Sequence, residues 1–252
     1  MPLQRLDSLS AISARQWDAL VPEAQPFLRH AFLSALEDSG SLGPHSGWQP
    51  EHLLHYEQGQ LLAALPSYRK WHSYGEYVFD HEWANACERA GVEYYPKLLT
   101  AVPFSPVVGP RLLAARAEDG LELLAALPAY LEAQGLSSAH INFTDGMADS
   151  ALAAQPGWLQ RIGCQFHWQN REYRDFQDFL DALSSRKRKQ MRKEREQVAG
   201  QGIEFEWLEG QQVSEAQWDF VYACYANTYA VRQRAPYLTR AFFSLLAERM
   251  PE

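Results

Sequence analysis

A short segment of mixed acidic, basic and aromatic residues carries side chains suited to general acid–base chemistry. Residues 79–83 have the sequence FDHEW, in which the imidazole of His81 lies between the carboxylates of Asp80 and Glu82. We expect His81 or Glu82 to act as the general base that removes a proton from an ammonium nucleophile. The structural alternative is that Asp80 caps a helix that continues through Asn85. A zinc site of the His-Glu-x-x-His type is excluded, because Asn85 occupies the position of the second histidine.

A second candidate is the basic run from Arg186 to Arg195, which carries a charge of +6 in a chain whose net charge is −8. Most of its basic residues come before the acids Glu194 and Glu196. In a helix this order places positive charge near the N-terminus, which is already the positive end of the helix dipole. Neighbouring like charges also repel one another. Because a bound phosphate would relieve both effects, this run is predicted to bind phosphate through charge-assisted hydrogen bonds. The alternative is a solvated helix face, since Lys and Arg are good helix formers. The predicted phosphate-binding residues are Arg186, Lys187, Arg188, Lys189 and Arg192.

Two loops contain glycine in patterns associated with anion binding. Residues 197–202, QVAGQG, match the Gln-x-x-Gly-x-Gly pattern with which acetyl-CoA-dependent acetyltransferases bind pyrophosphate. That loop must follow a strand and open a helix, whereas here it ends a helix, so Gly200 and Gly202 are predicted to form a helix C-cap and turn. Residues 105–111 do lie between a predicted strand and a predicted helix. They could present N–H groups to an anion, but their two prolines remove donors and favour a rigid structural loop.

These residues must be positioned by elements that alternate between helical and strand periodicity. That alternation favours a mixed α/β sheet for the first 170 residues. The predicted order is helices near 13–20 and over 26–37, a hairpin of 52–56 and 61–65, a strand over 97–102, a helix over 118–134, a strand over 139–143, a helix over 150–160 and a strand over 164–168.

The remaining residues, 171–252, are predicted to form a second domain. One strand and several helices make a poor self-contained α/β domain, so we expect the chain to be truncated within it. The predicted elements are a helix over 176–183, the basic helix over 185–199, a strand over 203–208, a helix capped by Ser214 and a last helix near Thr239.

Composition narrows the class of protein. The chain has 252 residues, of which 46% are hydrophobic, and this is typical of a globular protein. Its three cysteines, Cys87, Cys164 and Cys224, form no Cys-x-x-Cys pair and predict neither a disulfide framework nor a zinc site. We expect no membrane span, because no apolar run approaches about 20 residues. We expect a reducing, cytoplasmic location, because the cysteines form no disulfide framework and the first residues lack a signal sequence. No nucleophile elbow, P-loop or Rossmann fingerprint is present, which excludes most hydrolases, NTPases and dehydrogenases.

Three stretches together resemble a known family. They are residues 74–83, residues 94–113, and the sequence FHW at 166–168 followed by the basic run of 184–196. They are similar to the bacterial predicted N-acyltransferases of the GNAT superfamily, which are labelled peptidoglycan biosynthesis or recognition proteins and are distantly similar to FemAB-type aminoacyl transferases. The resemblance covers essentially the whole chain. It implies an α/β (α+β) fold of two tandem GNAT-like mixed sheets flanked by helices, with residues 1–170 as the first domain and residues 171–252 as an incomplete second one.

The reaction implied by the resemblance is transfer of an acyl or aminoacyl group to an amine. The donor would be an acyl-CoA or an aminoacyl-tRNA and the acceptor a small-molecule or peptide amine, with no tightly bound cofactor and no metal. Our hypothesis assigns the catalytic base to His81 or Glu82, substrate binding to Asp80, Lys97 and Arg111, and phosphate binding to the basic helix. The alternative is a non-catalytic module on a GNAT-like scaffold, whose helix from 186 to 195 binds RNA, such as tRNA, or another anionic polymer.

Overall fold

The computed structural model describes residues 3–146, 152–153 and 155–251. These residues form a mixed α/β structure with eight strands, eight α-helices and four short 3-10 turns. The strands are β1 Gln4–Leu6, β2 Trp48–Pro50, β3 His52–Glu57, β4 Gln60–Leu65, β5 Ser67–Lys70, β6 Lys97–Thr100, β7 Leu113–Ala114 and β8 Ala139–Ile141. The helices are α1 Ala14–Asp18, α2 His30–Asp38, α3 His81–Arg89, α4 Ala117–Gln134, α5 Phe176–Asp181, α6 Ser185–Ala199, α7 Glu215–Ala230 and α8 Arg240–Arg249.

The strands form two four-stranded sheets, ordered β1-β3-β4-β7 and β2-β5-β6-β8. All neighbours are antiparallel except β6 and β8, which run parallel. The predicted hairpin is confirmed as β3 and β4, which pair Leu54 with Ala64. Its turn consists of Gln58 at φ 50° and Gly59 at φ 83°. Two successive residues with positive φ are the two-residue connection that matches the twist of paired strands.

Both faces of the β3-β4 sheet are buried. Leu54 contributes to a core that also contains Trp17 of α1 and Leu33 of α2. Its neighbour Leu53 points to the opposite face and joins a second core with Leu123 of α4. Successive residues of a strand face opposite sides, so helices on both sides can cover the sheet. The predicted helices 26–37 and 118–134 correspond to these covers, although the first of them begins only at His30, after a 3-10 turn.

The described chain divides into two compact units. Unit 1 contains the described residues up to Leu159 together with those from Glu209 onward, and unit 2 is Gln160–Leu208. The last helix, α8, packs in unit 1 against α2, where the rings of Phe32 and Phe242 meet edge to face at 5.8 Å. This division shows which residues pack together, and it does not show whether the two parts of the chain are related in evolution. The domain boundary at residue 170 and the tandem GNAT-like arrangement therefore stay predictions.

Unit 2 departs from the predicted elements. The helices α5 and α6 are confirmed, and Gly200 follows α6 as its C-cap. The predicted strands over 164–168 and 203–208 are wrong, because neither segment is assigned to a strand. Phe166 is 98% exposed and Trp207 is 95% exposed. Neither segment therefore has the buried face that a strand in a sheet would have. Of the helix predicted over 150–160, residues 152–153 are helical, residues 155–160 are not, and residues 150, 151 and 154 lie outside the described residues.

Residues 71–80 connect β5 to α3, and we call this segment the strap. It passes close to the loop after β6 at Gly75, whose φ is +80°. A Cβ atom at this position would lie 2.7 Å from the ring of Phe104 and 3.2 Å from Nε1 of Trp48. Glycine is therefore required twice, once by the left-handed backbone and once by the close approach.

Replacing Gly75 by Ala should lower the thermal midpoint of unfolding more than replacing Gly59 by Ala. Both positions have positive φ, which costs an alanine about 1–2 kcal/mol. At Gly59 an added Cβ meets no atom within 4 Å, so that variant isolates the backbone cost. The difference between the two midpoints, measured by circular dichroism, reports the contact with Phe104. Equal midpoints would contradict the close approach.

Candidate functional site

The ammonium group of Lys97, at the start of β6, is fully buried and holds the strap. Its Nζ donates to Ser73 Oγ at 2.8 Å, to Glu76 Oε2 at 2.9 Å and to Asp80 Oδ2 at 2.7 Å. These three acceptors come from the beginning, the middle and the end of the strap. An ammonium has three protons, and here each is bonded to an oxygen of one continuous segment. We name these four side chains the Lys97 cluster.

The pKa values of the two carboxylates in the Lys97 cluster are shifted in opposite directions. Burial opposes ionisation of Asp80, but hydrogen bonds from Lys97, Ser73 and Tyr94 outweigh it and lower the pKa of Asp80 to about 2. For Glu76, burial is the larger effect and raises its pKa despite the charge of Lys97. Asp80 is therefore the permanent counter-charge of Lys97, while Glu76 is the carboxylate of the pair that takes up a proton more readily.

Lys70, the last residue of β5, lies opposite Lys97 in the antiparallel register. Its ammonium is 3.9 Å from the centroid of the Trp48 ring and donates to the carbonyl oxygen of Tyr74 at 3.3 Å. Nε1 of Trp48 donates to the same oxygen at 3.1 Å. Burial lowers the pKa of Lys70 from 10.5 to about 7, with Glu76 raising it and Lys97 lowering it to smaller extents. Strand β5 thus provides a second anchor of the strap, at Tyr74.

An open cleft of about 580 Å³ lies beside the strap in unit 1. One wall is strap residues 72–74, a second is one face of α3, and the third is the segment 91–95 before β6. The hydroxyl of Tyr94 donates to Asp80 at 2.7 Å and that of Tyr95 is 2.8 Å from Ser73 Oγ, which ties this third wall to the Lys97 cluster. The rings and carboxylates of the lining belong to His72, Tyr74, His81, Glu88, Glu93, Tyr94 and Tyr95.

Of the residues predicted to act in catalysis or to bind substrate, His81 lines this cleft. It is exposed, and its ring lies 5.8 Å from that of Tyr74. Glu82 is exposed on the next position of α3 but is not part of the cleft lining. Asp80 does occupy the N-cap position of α3, yet its side chain makes no capping hydrogen bond because it faces Lys97 instead. The capping alternative is therefore wrong for the side chain, while the helix itself is confirmed.

Arg111 lies inside unit 1, away from the lining of the cleft. It has no exposed area, and it donates to the backbone carbonyls of Asn142, Pro110 and Val107. Burial lowers its pKa to about 10. Arg111 thus fastens the loop before β7, as the rigid-loop alternative predicts. Lys97 is equally enclosed, so a direct role of either cation in substrate binding stays a prediction.

The predicted phosphate-binding residues lie on α6 in unit 2, whose first turn contains no acidic residue. Arg186, Lys187, Lys189 and Arg192 are exposed. Arg188 differs, because its guanidinium donates to three carbonyl oxygens at the end of α5 and just beyond it, at 3.0–3.2 Å. Arg188 therefore caps α5, and the exposed cations of α6 are the ones that can meet a ligand.

Sequence reasoning missed Lys70, Ser73 and Glu76. Nothing in a single sequence pairs residue 97 with a segment about twenty residues earlier. One signal was available for Lys97: a lysine directly next to apolar strand residues, here Leu98 and Leu99, can have a buried ammonium, which requires partners. Lys70 follows Arg69 and carries no such signal.

Replacing Lys97 by Met should destabilise the protein by about 3–5 kcal/mol, because it leaves Asp80 and Glu76 buried without their cation. The free energy of unfolding would be measured with urea at pH 7. The matched control is Lys187→Met, which removes an exposed lysine of α6. A loss no larger than that of the control would show that the cluster contributes little to stability.

Lys70 should make stability rise with pH. Between about pH 7 and 10.5 the unfolded chain keeps the Lys70 proton that the folded chain has lost, so the unfolded state binds more protons. The free energy of unfolding of the wild type should therefore increase relative to that of Lys70→Met, by up to about 1.4 kcal/mol per pH unit. The measurement is a series of urea titrations at pH 7–10. Parallel curves for the two proteins would contradict a lowered pKa.

The described residues contain no helix long and apolar enough to cross a membrane. They also hold no group of three or more His, Cys, Asp or Glu side chains arranged as a metal site.

No curated protein and no solved structure matches the chain significantly. One family does match, over residues 8–252, and it is described as peptidoglycan biosynthesis/recognition. Because this match covers nearly all of the sequence, the chain belongs to the FemAB-like family.

Proposed function

We propose that this chain transfers an acyl or aminoacyl group from an activated donor to an amine bound in the cleft of unit 1. Family membership implies a peptidoglycan-related aminoacyl transferase role. The observation that supports the amine-binding site is the cleft lining, in which aromatic rings surround His81 and two carboxylates, Glu88 and Glu93. Aromatic faces and carboxylates both attract an ammonium group.

The proposed chemistry needs the acceptor amine to be neutral when it attacks. The ammonium loses a proton to His81, and the free amine nitrogen then attacks the carbonyl carbon of the donor. A C–N bond forms, and the bond to the leaving group breaks: C–S in a CoA thioester, C–O in an aminoacyl-tRNA ester. The leaving thiolate or alkoxide takes up the proton that the attacking nitrogen loses as the amide forms. His81 is preferred to Glu82 as the base because His81 lines the cleft.

The role of the Lys97 cluster in this proposal is to position the base. Helix α3 begins at His81, directly after Asp80, which is bonded to Lys97 at 2.7 Å. Ser73 and Tyr74 of the same strap form the opposite wall of the cleft. The cluster thus sets the distance between His81 and the facing aromatic rings without touching a substrate. This assigns Asp80 and Lys97 as positioning residues.

Donor binding is assigned separately, to α6. Its exposed cations Arg186, Lys187, Lys189 and Arg192 supply guanidinium and ammonium donors for phosphate. Both donor classes carry phosphates, as the diphosphate of CoA or the backbone of tRNA. Arg188 is left out of this set because its donors are already bonded to carbonyl oxygens at the end of α5.

Replacing His81 by Asn should lower kcat/KM for transfer to the amine about 100-fold, the typical contribution of a general base. Glu82→Gln, one residue along α3, should lower it less than about threefold. Transfer of a radiolabelled amino acid from charged tRNA, and of acetyl from acetyl-CoA, to a lysine-containing stem peptide would be followed across pH 5–9.

The reverse order of losses would assign the base to Glu82. A loss below tenfold in the double variant His81→Ala/Glu82→Gln would exclude both residues. Both side chains are exposed, so the variants should retain the wild-type thermal midpoint.

A further inference from the structure

Unit 2 contains a cavity of its own, of about 340 Å³. Four aromatic rings line it, together with Asn170 and Asp175. The rings of Trp168 and Tyr173 lie nearly parallel, with an angle of 26° between their planes and 6.3 Å between centroids. Phe179 meets both of them edge to face. The fourth ring is Phe176, one helical turn from Phe179 on α5.

The polar groups of this aromatic pocket are already used to build it. The Asn170 side-chain oxygen accepts the backbone N–H of Tyr173 at 3.3 Å. The Asp175 carboxylate accepts the backbone N–H of Asp178 at 2.9 Å and so caps α5. What the pocket offers a ligand is therefore mainly ring faces, and Trp168 is 67% exposed. A flat, unsaturated ring is the ligand that gains most from such faces.

One arginine contacts a ring that lines the pocket, and a second bonds to the residue next to that ring. The guanidinium of Arg195 lies 4.1 Å from the centroid of the Phe176 ring, and Arg192 donates to the side chain of Gln177 at 3.0 Å. Both arginines belong to α6, which packs against α5 within unit 2. A positively charged ligand is disfavoured at this edge, whereas an anion is favoured. The ligand that fits is thus an aromatic ring joined to an anionic group.

We propose that this aromatic pocket binds a nucleoside phosphate, with the base stacked on Trp168 and Tyr173 and the phosphate bound by Arg192 and Arg195. Stacking platforms beside basic side chains are the general means of binding unpaired nucleotides. The inference rests on the phosphate-binding role proposed for α6, and it is independent of the transfer reaction. Two sources share this chemistry: the adenosine phosphate of CoA and an unpaired nucleotide of an RNA.

The test is isothermal titration calorimetry of the full chain with two probes, adenosine 3′,5′-bisphosphate and an octaadenylate RNA. We expect saturable binding of at least one of them. Tighter binding of the bisphosphate would identify CoA as the source, and tighter binding of the RNA would identify an RNA nucleotide. Inorganic pyrophosphate should bind at least tenfold more weakly than the preferred probe, because it lacks a base.

Variants then locate the site. Trp168→Ala should weaken binding about tenfold, through the loss of one base–ring stack. The matched control is Trp207→Ala, which removes an indole that is 95% exposed, belongs to the same unit and does not line the pocket. Arg195→Gln should weaken binding more than Lys187→Gln, although both remove one charge from α6.

Three results would overturn the proposal: no saturable binding of either probe, equal affinities of Trp168→Ala and Trp207→Ala, or pyrophosphate binding as tightly as the nucleotide. None of them depends on turnover. A failure of the His81 assay with intact nucleotide binding would refute the proposed reaction alone. The opposite pair of results would refute the nucleotide pocket alone.

Discussion

The bonds from the Lys97 ammonium to the strap are the interaction on which the rest of the candidate site depends. Ser73, Glu76 and Asp80 are spread over eight residues that otherwise form no helix or strand, and Lys97 gathers them at 2.7–2.9 Å. A buried ion pair is weak evidence for stability, since desolvation offsets most of the attraction. Its effect here is geometric: one atom of β6 holds the strap at three points.

Two further constraints act on the same strap and agree with the first. Lys70 and Trp48 both donate to the carbonyl oxygen of Tyr74. Gly75 then lets Phe104 approach, and Phe104 itself has a left-handed backbone with φ 57°. A non-glycine residue in that region costs of order 1–3 kcal/mol, which the surrounding contacts must outweigh. Phe104 stacks on Tyr237 at 4.9 Å, so the segment that follows α7 contributes to that compensation.

Whether the sequence predicts an interaction depends on how far apart its residues lie along the chain. Local signals succeed: the capping box that opens α7 at Ser214, the two-residue turn at Gly59 and the basic helix α6 are all confirmed. Pairing over long separations fails, because periodicity says which residues are buried and not which meet. The contact between Asp80 and Lys97 spans 17 residues. Alternation alone also predicted a strand over 164–168, where no strand among the described residues supplies the pairing that would stabilise it.

The charged residues selected from the sequence separate into two physical classes, and the separation decides what each can do. Asp80, Lys97 and Arg111 are fully buried, so their partners are set by the fold. His81 and Glu82 are exposed, so their partners are set by what binds. A substitution in the first class changes stability and activity together, whereas one in the second can change the rate alone. His81, the first residue of α3, can therefore be substituted without disturbing the bonds of the Lys97 cluster to the strap.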